Sequence, residues 1–114
     1  MDREAARGWI RDECQYPGWI ALVDRVYDAL PPHLQISQVY EKYARLRFDL
    51  EDAADDEPFL EYLESIEELS GTICDTCGGP GNEHVVDRWQ RTICAPCAVR
   101  VARDPASIVD FSRL

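Results

Sequence analysis

The chain has 114 residues, 22 acidic and 12 basic, for a formal charge of −10, and 46% of it is hydrophobic. That length allows one domain with a thin core, or a small core with a metal-stapled subdomain, and the composition excludes a disordered chain. So negative a field repels nucleic acid and favours basic protein surfaces, and no apolar run approaches the roughly 20 residues that span a bilayer.

The first segment, DREAARGWIRDEC over residues 2–14, predicts a short helix with Ala5, Ala6, Trp9, Ile10 and Cys14 along an apolar stripe. It carries neither the basic region nor the apolar run of a secretory signal, so we expect a cytoplasmic protein whose thiols stay reduced. Tyr16-Pro17-Gly18 interrupts it. A second helix follows, with Trp19, Leu22, Val23, Val26, Tyr27 and Leu30 at steps of three and four, and Pro31-Pro32 ends it. The triplet Gly-Trp-Ile starts at both Gly8 and Gly18, but its flanks do not match, so it is not a repeat.

Residues 34–50 fit two periods at once. Leu34, Ile36, Gln38 and Tyr40, then Leu46, Phe48 and Leu50, alternate as in a hairpin turning near Tyr43–Arg45. Ile36, Val39, Tyr40, Tyr43 and Leu46 also make a helical stripe, and neither Gly nor Asn marks a turn.

Residues 51–57 form an acidic linker, with Asp56 or Glu57 as a helix N-cap and Pro58 in the first turn. Phe59, Leu60, Leu63, Ile66 and Leu69 are expected to face inward, with Glu61, Glu64, Glu67 and Glu68 outside, and Ser70-Gly71 to end the helix. Residues 1–71 hold 17 acidic and 7 basic residues, a net of −10, whereas 72–114 are neutral overall. Ten acids lie between Asp49 and Glu68 with no Lys or Arg among them. We therefore divide the chain into an acidic core, 1–71, and a second unit, 72–114. Asp52, Asp55, Asp56, Glu57, Glu61, Glu64, Glu67 and Glu68 are the candidate contacts to a partner protein with a basic surface.

Cys74, Cys77, Cys94 and Cys97 form two Cys-x-x-Cys pairs with sixteen residues between them, the sequence form of a structural zinc site. A two-residue gap in a tight turn puts both sulfurs on one side, and Gly78-Gly79 lets backbone N–H groups face the thiolates. The sixteen residues suffice for a hairpin, with Val85, Val86 and Trp89 in one arm and Thr92-Ile93 leading into the second pair. APCAVRVAR then reads as a helix. Knuckle, hairpin and ligand-bearing helix is the order of a treble-clef finger; a zinc ribbon would continue as strand. One Zn²⁺ per chain, bound with an apparent 10–16 kcal/mol or so, would decide whether this segment folds. Four protein ligands leave no open coordination position, so the ion would be structural. Arg88, Arg91 and Arg100 are candidates to offset the charge of the thiolates. His84 reads as an exposed loop residue, Cys14 as a buried thiol and His33 as a surface imidazole.

Nothing in the carboxylate spacing raises a pKa for acid–base work, and neither a nucleophile–His arrangement nor a phosphate loop is present, so no enzyme is expected. The alternative is a nucleic-acid-binding finger using Arg88, Arg91, Arg100 and Arg103 beside Trp89, against which the total charge works.

Residues Gly18, Trp19, Leu22, Val23, Gln38, Glu41, Lys42, Tyr43, Leu46, Arg47 and Phe48 form one part of a wider motif. The other part is Cys74, Cys77, Gly78, Pro80, Gly81, Trp89, Thr92, Cys94 and Cys97. Together they resemble a family of small, mostly uncharacterised bacterial and phage proteins over about residues 18–97. The resemblance implies a hairpin at 34–50, although Ala44 stands where the family has its turn glycine. The fold class expected is α+β: short N-terminal helices, a hairpin, an acidic helix and a C-terminal four-cysteine, treble-clef-like zinc finger. Phage origin would make the partner a host-defence complex, inhibited in the host cytoplasm by acidic side chains standing in for phosphates.

Overall fold

The computed structural model describes residues 1–51 and 56–113. Asp2 opens helix α1 (Arg3–Gly8) by accepting a hydrogen bond from the Ala5 N–H at 2.8 Å. The predicted helix then changes character: Trp9–Glu13 is a π-helical turn, closed by Cys14 N donating to the Trp9 carbonyl at 2.8 Å. Widening the turn keeps Ala6, Ile10 and Cys14 on the inner side, while Ala5 and Trp9, expected in the stripe, face solvent. Gln15 takes a positive φ of 61°, and a 3₁₀ turn at Pro17–Trp19 leads into α2 (Ile20–Ala29).

Strands β1 (Ile36–Lys42) and β2 (Arg45–Leu50) pair antiparallel, which settles the ambiguous segment as a hairpin. A bulge between Ile36 and Gln38 shifts the register, so Ile36 and Val39, three apart, both point inward. That spacing is why the segment also read as a helix. Tyr43 and Ala44 make the two-residue turn at φ of 54° and 64°, the signs a type I′ turn demands.

Asp56 caps α3 (Glu57–Ser70), with Pro58 in the first turn as predicted. Phe59, Leu63 and Ile66 are buried, but Leu60, expected inside, is 44% exposed. Its place in the buried row goes to Ser70, which is fully buried, accepts from the Leu46 N–H at 2.9 Å and donates to the Glu67 carbonyl at 2.5 Å. The serine expected only to stop the helix thus ties it to β2.

Strands β3 (Asn82–Val86) and β4 (Trp89–Ile93) form a second hairpin, with Asp87 and Arg88 at φ of 51° and 67° in its turn. Trp89 therefore belongs to the second arm, not the first. Helix α4 (Ala95–Val101) follows, and a short strand β5 (Val109–Asp110) adds to β3, giving the sheet order β4-β3-β5. The molecule is α+β, with two apolar clusters. The larger gathers Trp19, α2, the β1–β2 hairpin and α3; the smaller gathers Cys74, Val86, Ile93, Cys97 and Ala98. Hydrogen bonds tie the core to the cysteine segment, among them Gly18 N to the Asp75 carbonyl at 2.8 Å, Trp19 Nε1 to the Ile73 carbonyl at 3.0 Å, and Thr92 Oγ1 to the Ala44 carbonyl at 2.7 Å. Among the described residues, no helix is long and apolar enough to cross a membrane.

Candidate metal centre

The loop from Cys74 to Gly79 folds back on itself, with Gly78 N donating to the Cys74 carbonyl at 3.0 Å and Cys74 N to that of Gly79 at 2.7 Å. Gly78 holds φ at +80°, a conformation glycine adopts without strain. The turn aims amides at sulfur: Cys77 N–H reaches Cys74 Sγ and Gly79 N–H reaches Cys77 Sγ, each at 3.4 Å. Cys94 is the N-cap of α4 and Cys97 lies in its first turn, where Pro96 suits the unsatisfied N–H positions. The β3–β4 hairpin carries this helix back over the knuckle. All four sulfurs then lie within 4.8 Å of one another and can hold one metal ion. Cys77 and Cys94 Sγ are 3.9 Å apart, far beyond the roughly 2.05 Å of a disulfide.

The electrostatics of the cluster suit a cation. Burial pushes the Cys74 thiol up, but backbone N–H groups at Cys77, Cys94 and Thr76 outweigh it and bring the pKa down to about 7. Burial and the neighbouring Cys94 thiol push Cys97 up to about 12, against the pull of Arg100. Neighbouring thiols cannot all ionise unaided, and a bound metal ion would supply the missing charge.

Of the three arginines expected to offset that charge, Arg100 does so directly, with Nη2 2.7 Å from Cys97 Sγ. Arg91 instead pairs with Asp75 through Nε and Nη2, both at 2.9 Å, and lies 5.2 Å over the Tyr16 ring. Asp75 is 1% exposed, and its main chain donates to the Thr92 carbonyl while accepting from Gly18 N. Burial raises its carboxyl pKa against the opposing effect of Arg91. Sequence reasoning missed this tie between knuckle, strand and N-terminal core, because an Asp inside Cys-x-x-Cys looks like any loop residue. Arg88 sits at the exposed turn and lines a crevice with Val85, Asp87, Arg103, Asp104 and Ser107. The four arginines proposed as one basic face are thus divided among different tasks, although Trp89 beside them is 59% exposed.

His84 corrects the sequence reading most sharply: it is not an exposed loop residue but lies 1% exposed on β3. Its Nδ1 is 3.0 Å from the Asn82 carbonyl and its Nε2 3.5 Å from Asp110 Oδ2. Strand β5, which no periodicity announced, covers it. His84 is not in the ligand group. His33 is exposed, 3.1 Å from Asp56 Oδ2, and Cys14 is half-buried, with burial raising its thiol pKa.

The acidic residues separate into two kinds. Asp56 is consumed as the cap and Glu67 pairs with Arg47 at 3.1 Å, partly buried, so neither belongs to an open face. Glu57, Glu61, Glu64 and Glu68 are exposed and fall on one side of α3 at steps of four, three and four. Asp52 and Asp55 lie outside the described residues.

Fold and site define an α+β chain with a C-terminal four-cysteine cluster in knuckle, hairpin and helix order. No protein-family model matches the chain, nor does any curated protein or solved structure.

Proposed function

We propose that the chain is a non-catalytic, zinc-stapled interaction module that docks on a basic protein surface through the Glu57, Glu61, Glu64 and Glu68 face of α3. The observation that carries the zinc assignment is the sulfur spacing. Zn–S bonds of about 2.3 Å in a tetrahedron put sulfurs about 3.8 Å apart, beside the 3.9 Å between Cys77 and Cys94. Four thiolates suit zinc, and a filled tetrahedron has no place for substrate, which supports a structural rather than catalytic ion. The stripe of four carboxylates has the spacing and sign to meet lysines and arginines, including those with which a nucleic-acid-binding protein grips phosphates. An inhibitor of such a protein, acting in a reducing cytoplasm, is the sharpest form of this reading.

The test uses the zinc-loaded full chain and a fluorescein-labelled nona-arginine peptide. Binding at about 50 mM salt should weaken at least tenfold when Glu57, Glu61, Glu64 and Glu68 are changed together to Gln, with zinc content intact. Unchanged binding would retire the acidic face. A gel shift with DNA or RNA at the same salt would replace this reading with a nucleic-acid-binding finger.

A further inference from the structure

The turn of the β1–β2 hairpin and the start of β4 enclose a surface pocket of about 360 Å³ lined by Glu41, Lys42, Tyr43, Ala44, Trp89 and Gln90. The Thr92–Ala44 hydrogen bond fixes the two elements against each other. Two large aromatic rings border the pocket and are left in solvent, Tyr43 at 68% exposure and Trp89 at 59%. Neither is used by the core or by the metal centre.

Glu41, which lines the same pocket, is half-buried. Burial raises its carboxyl above the ordinary carboxylate range, against the opposing influence of the nearby Ala44 backbone N–H and Trp89 side chain. Among the described residues its carboxylate forms no salt bridge. Arg91, whose charge also acts on it, is already paired with Asp75. A half-buried carboxylate with no counter-cation, in a pocket bordered by two aromatic rings, is complementary to a cation. The Tyr43 ring already draws cations of this chain, with Lys42 Nζ 5.5 Å and Arg47 Cζ 5.9 Å from its centroid. The face of Trp89 is the stronger such acceptor.

We propose that this pocket receives the guanidinium of an arginine side chain on a basic partner protein, stacked on Trp89 and paired with the Glu41 carboxylate. The inference rests on the acidic-module reading above and adds a second contact to it. Guanidinium suits the site better than ammonium: it is planar, weakly hydrated and forked to match a carboxylate, and it stacks on indole. A nucleobase could stack as well, but its phosphates would meet Glu41 and a chain of net charge −10.

The experiment follows the Trp89 indole N–H of the zinc-loaded, ¹⁵N-labelled full chain, assigned with Trp89→Phe, during titration with N-acetyl-arginine amide. The signal should shift saturably, less with N-acetyl-lysine amide and not at all with the neutral isostere N-acetyl-citrulline amide. Glu41→Gln, checked for intact zinc content and melting temperature, should weaken the arginine response at least tenfold. Lys42→Gln, which removes a competing cation from the rim, should preserve or strengthen it. An arginine response unchanged in Glu41→Gln, an equal response to citrulline, or a stronger one to adenosine monophosphate overturns the pocket. The two readings separate in the same peptide assay: nona-arginine weakened by the α3 variant but not by Glu41→Gln leaves the acidic face standing without the pocket. Nona-arginine weakened by Glu41→Gln alone leaves the pocket without the face.

Discussion

Gly18 and Gly8 each open a Gly-Trp-Ile triplet, and their surroundings share nothing. A Cβ on Gly18 would overlap the Cys74 carbonyl and lie 2.6 Å from the Gly78 nitrogen and 2.7 Å from the Asp75 carbonyl carbon. One on Gly8 meets nothing within 4 Å. Gly18 is thus the point at which the N-terminal core and the first knuckle touch backbone to backbone. Gly18→Ala should cost about 3 kcal/mol or more, since the obstacles are main chain and cannot turn aside. Gly8→Ala should be neutral or stabilising by up to about 1 kcal/mol, as for a helical glycine filled in. Denaturant unfolding of the zinc-loaded proteins compares them; equal effects would mean that the knuckle does not pack on Gly18 as described. The residues Glu41, Asp75, Ser70 and His84 carry the same lesson. Their burial comes from partners distant in sequence, so nothing in their immediate neighbours marked them out.

At the scale of elements, the helices were legible because their apolar residues recur with one period and their caps stand beside them, as with Asp56 and Pro58 ahead of α3. The hairpins were harder. Both turn on residue pairs with positive φ and no glycine, Tyr43-Ala44 and Asp87-Arg88. Left-handed backbone costs a non-glycine residue about 1–2 kcal/mol, so something must offset it. At Ala44 it is burial and the bond to Thr92; at Asp87 it is a carboxylate accepting the Arg103 and Asp104 N–H groups. Among the described residues, Arg88 makes no such hydrogen bond in its exposed turn. Arg88→Gly should therefore stabilise the second hairpin by about 0.5–1 kcal/mol, the strain relieved less glycine's added chain entropy. A melting temperature raised by a few degrees is expected, and a lower one would give the Arg88 side chain a structural role in the crevice it lines.

For the molecule as a whole, the two apolar clusters set the response to metal removal. Structural zinc sites in general contribute an apparent 10–16 kcal/mol or so, which rivals the roughly 5–15 kcal/mol stability of a typical domain. The smaller cluster, which includes two of the four cysteines, has little else to hold it. Elemental analysis should give one zinc per chain. Chelation at neutral pH should then bring the amides of β3, β4 and α4 close to unprotected hydrogen-exchange rates while those of α2, α3 and the β1–β2 hairpin stay protected. Loss of protection in all of them at the same chelator concentration would make the chain a single cooperative unit held by the hydrogen bonds that connect core and cysteine segment. Acid should act as the chelator does. The ligands bind as thiolates, so affinity is complete at higher pH and falls as protons compete for sulfur.

The sequence alone determined what local geometry can encode: the four sulfurs of the centre, set by two-residue gaps, and the carboxylate stripe of α3, set by the helical repeat. Each depends on residues within a turn or two of one another, where backbone geometry converts spacing into direction. Only the tertiary structure decided which acids stay open and which are consumed by Arg47 or a helix cap. It also buried His84 beneath β5, and it brought Glu41 and Tyr43 up to Trp89. Those outcomes depend on which distant segments pack together, and burial and pairing energies arise only once they do.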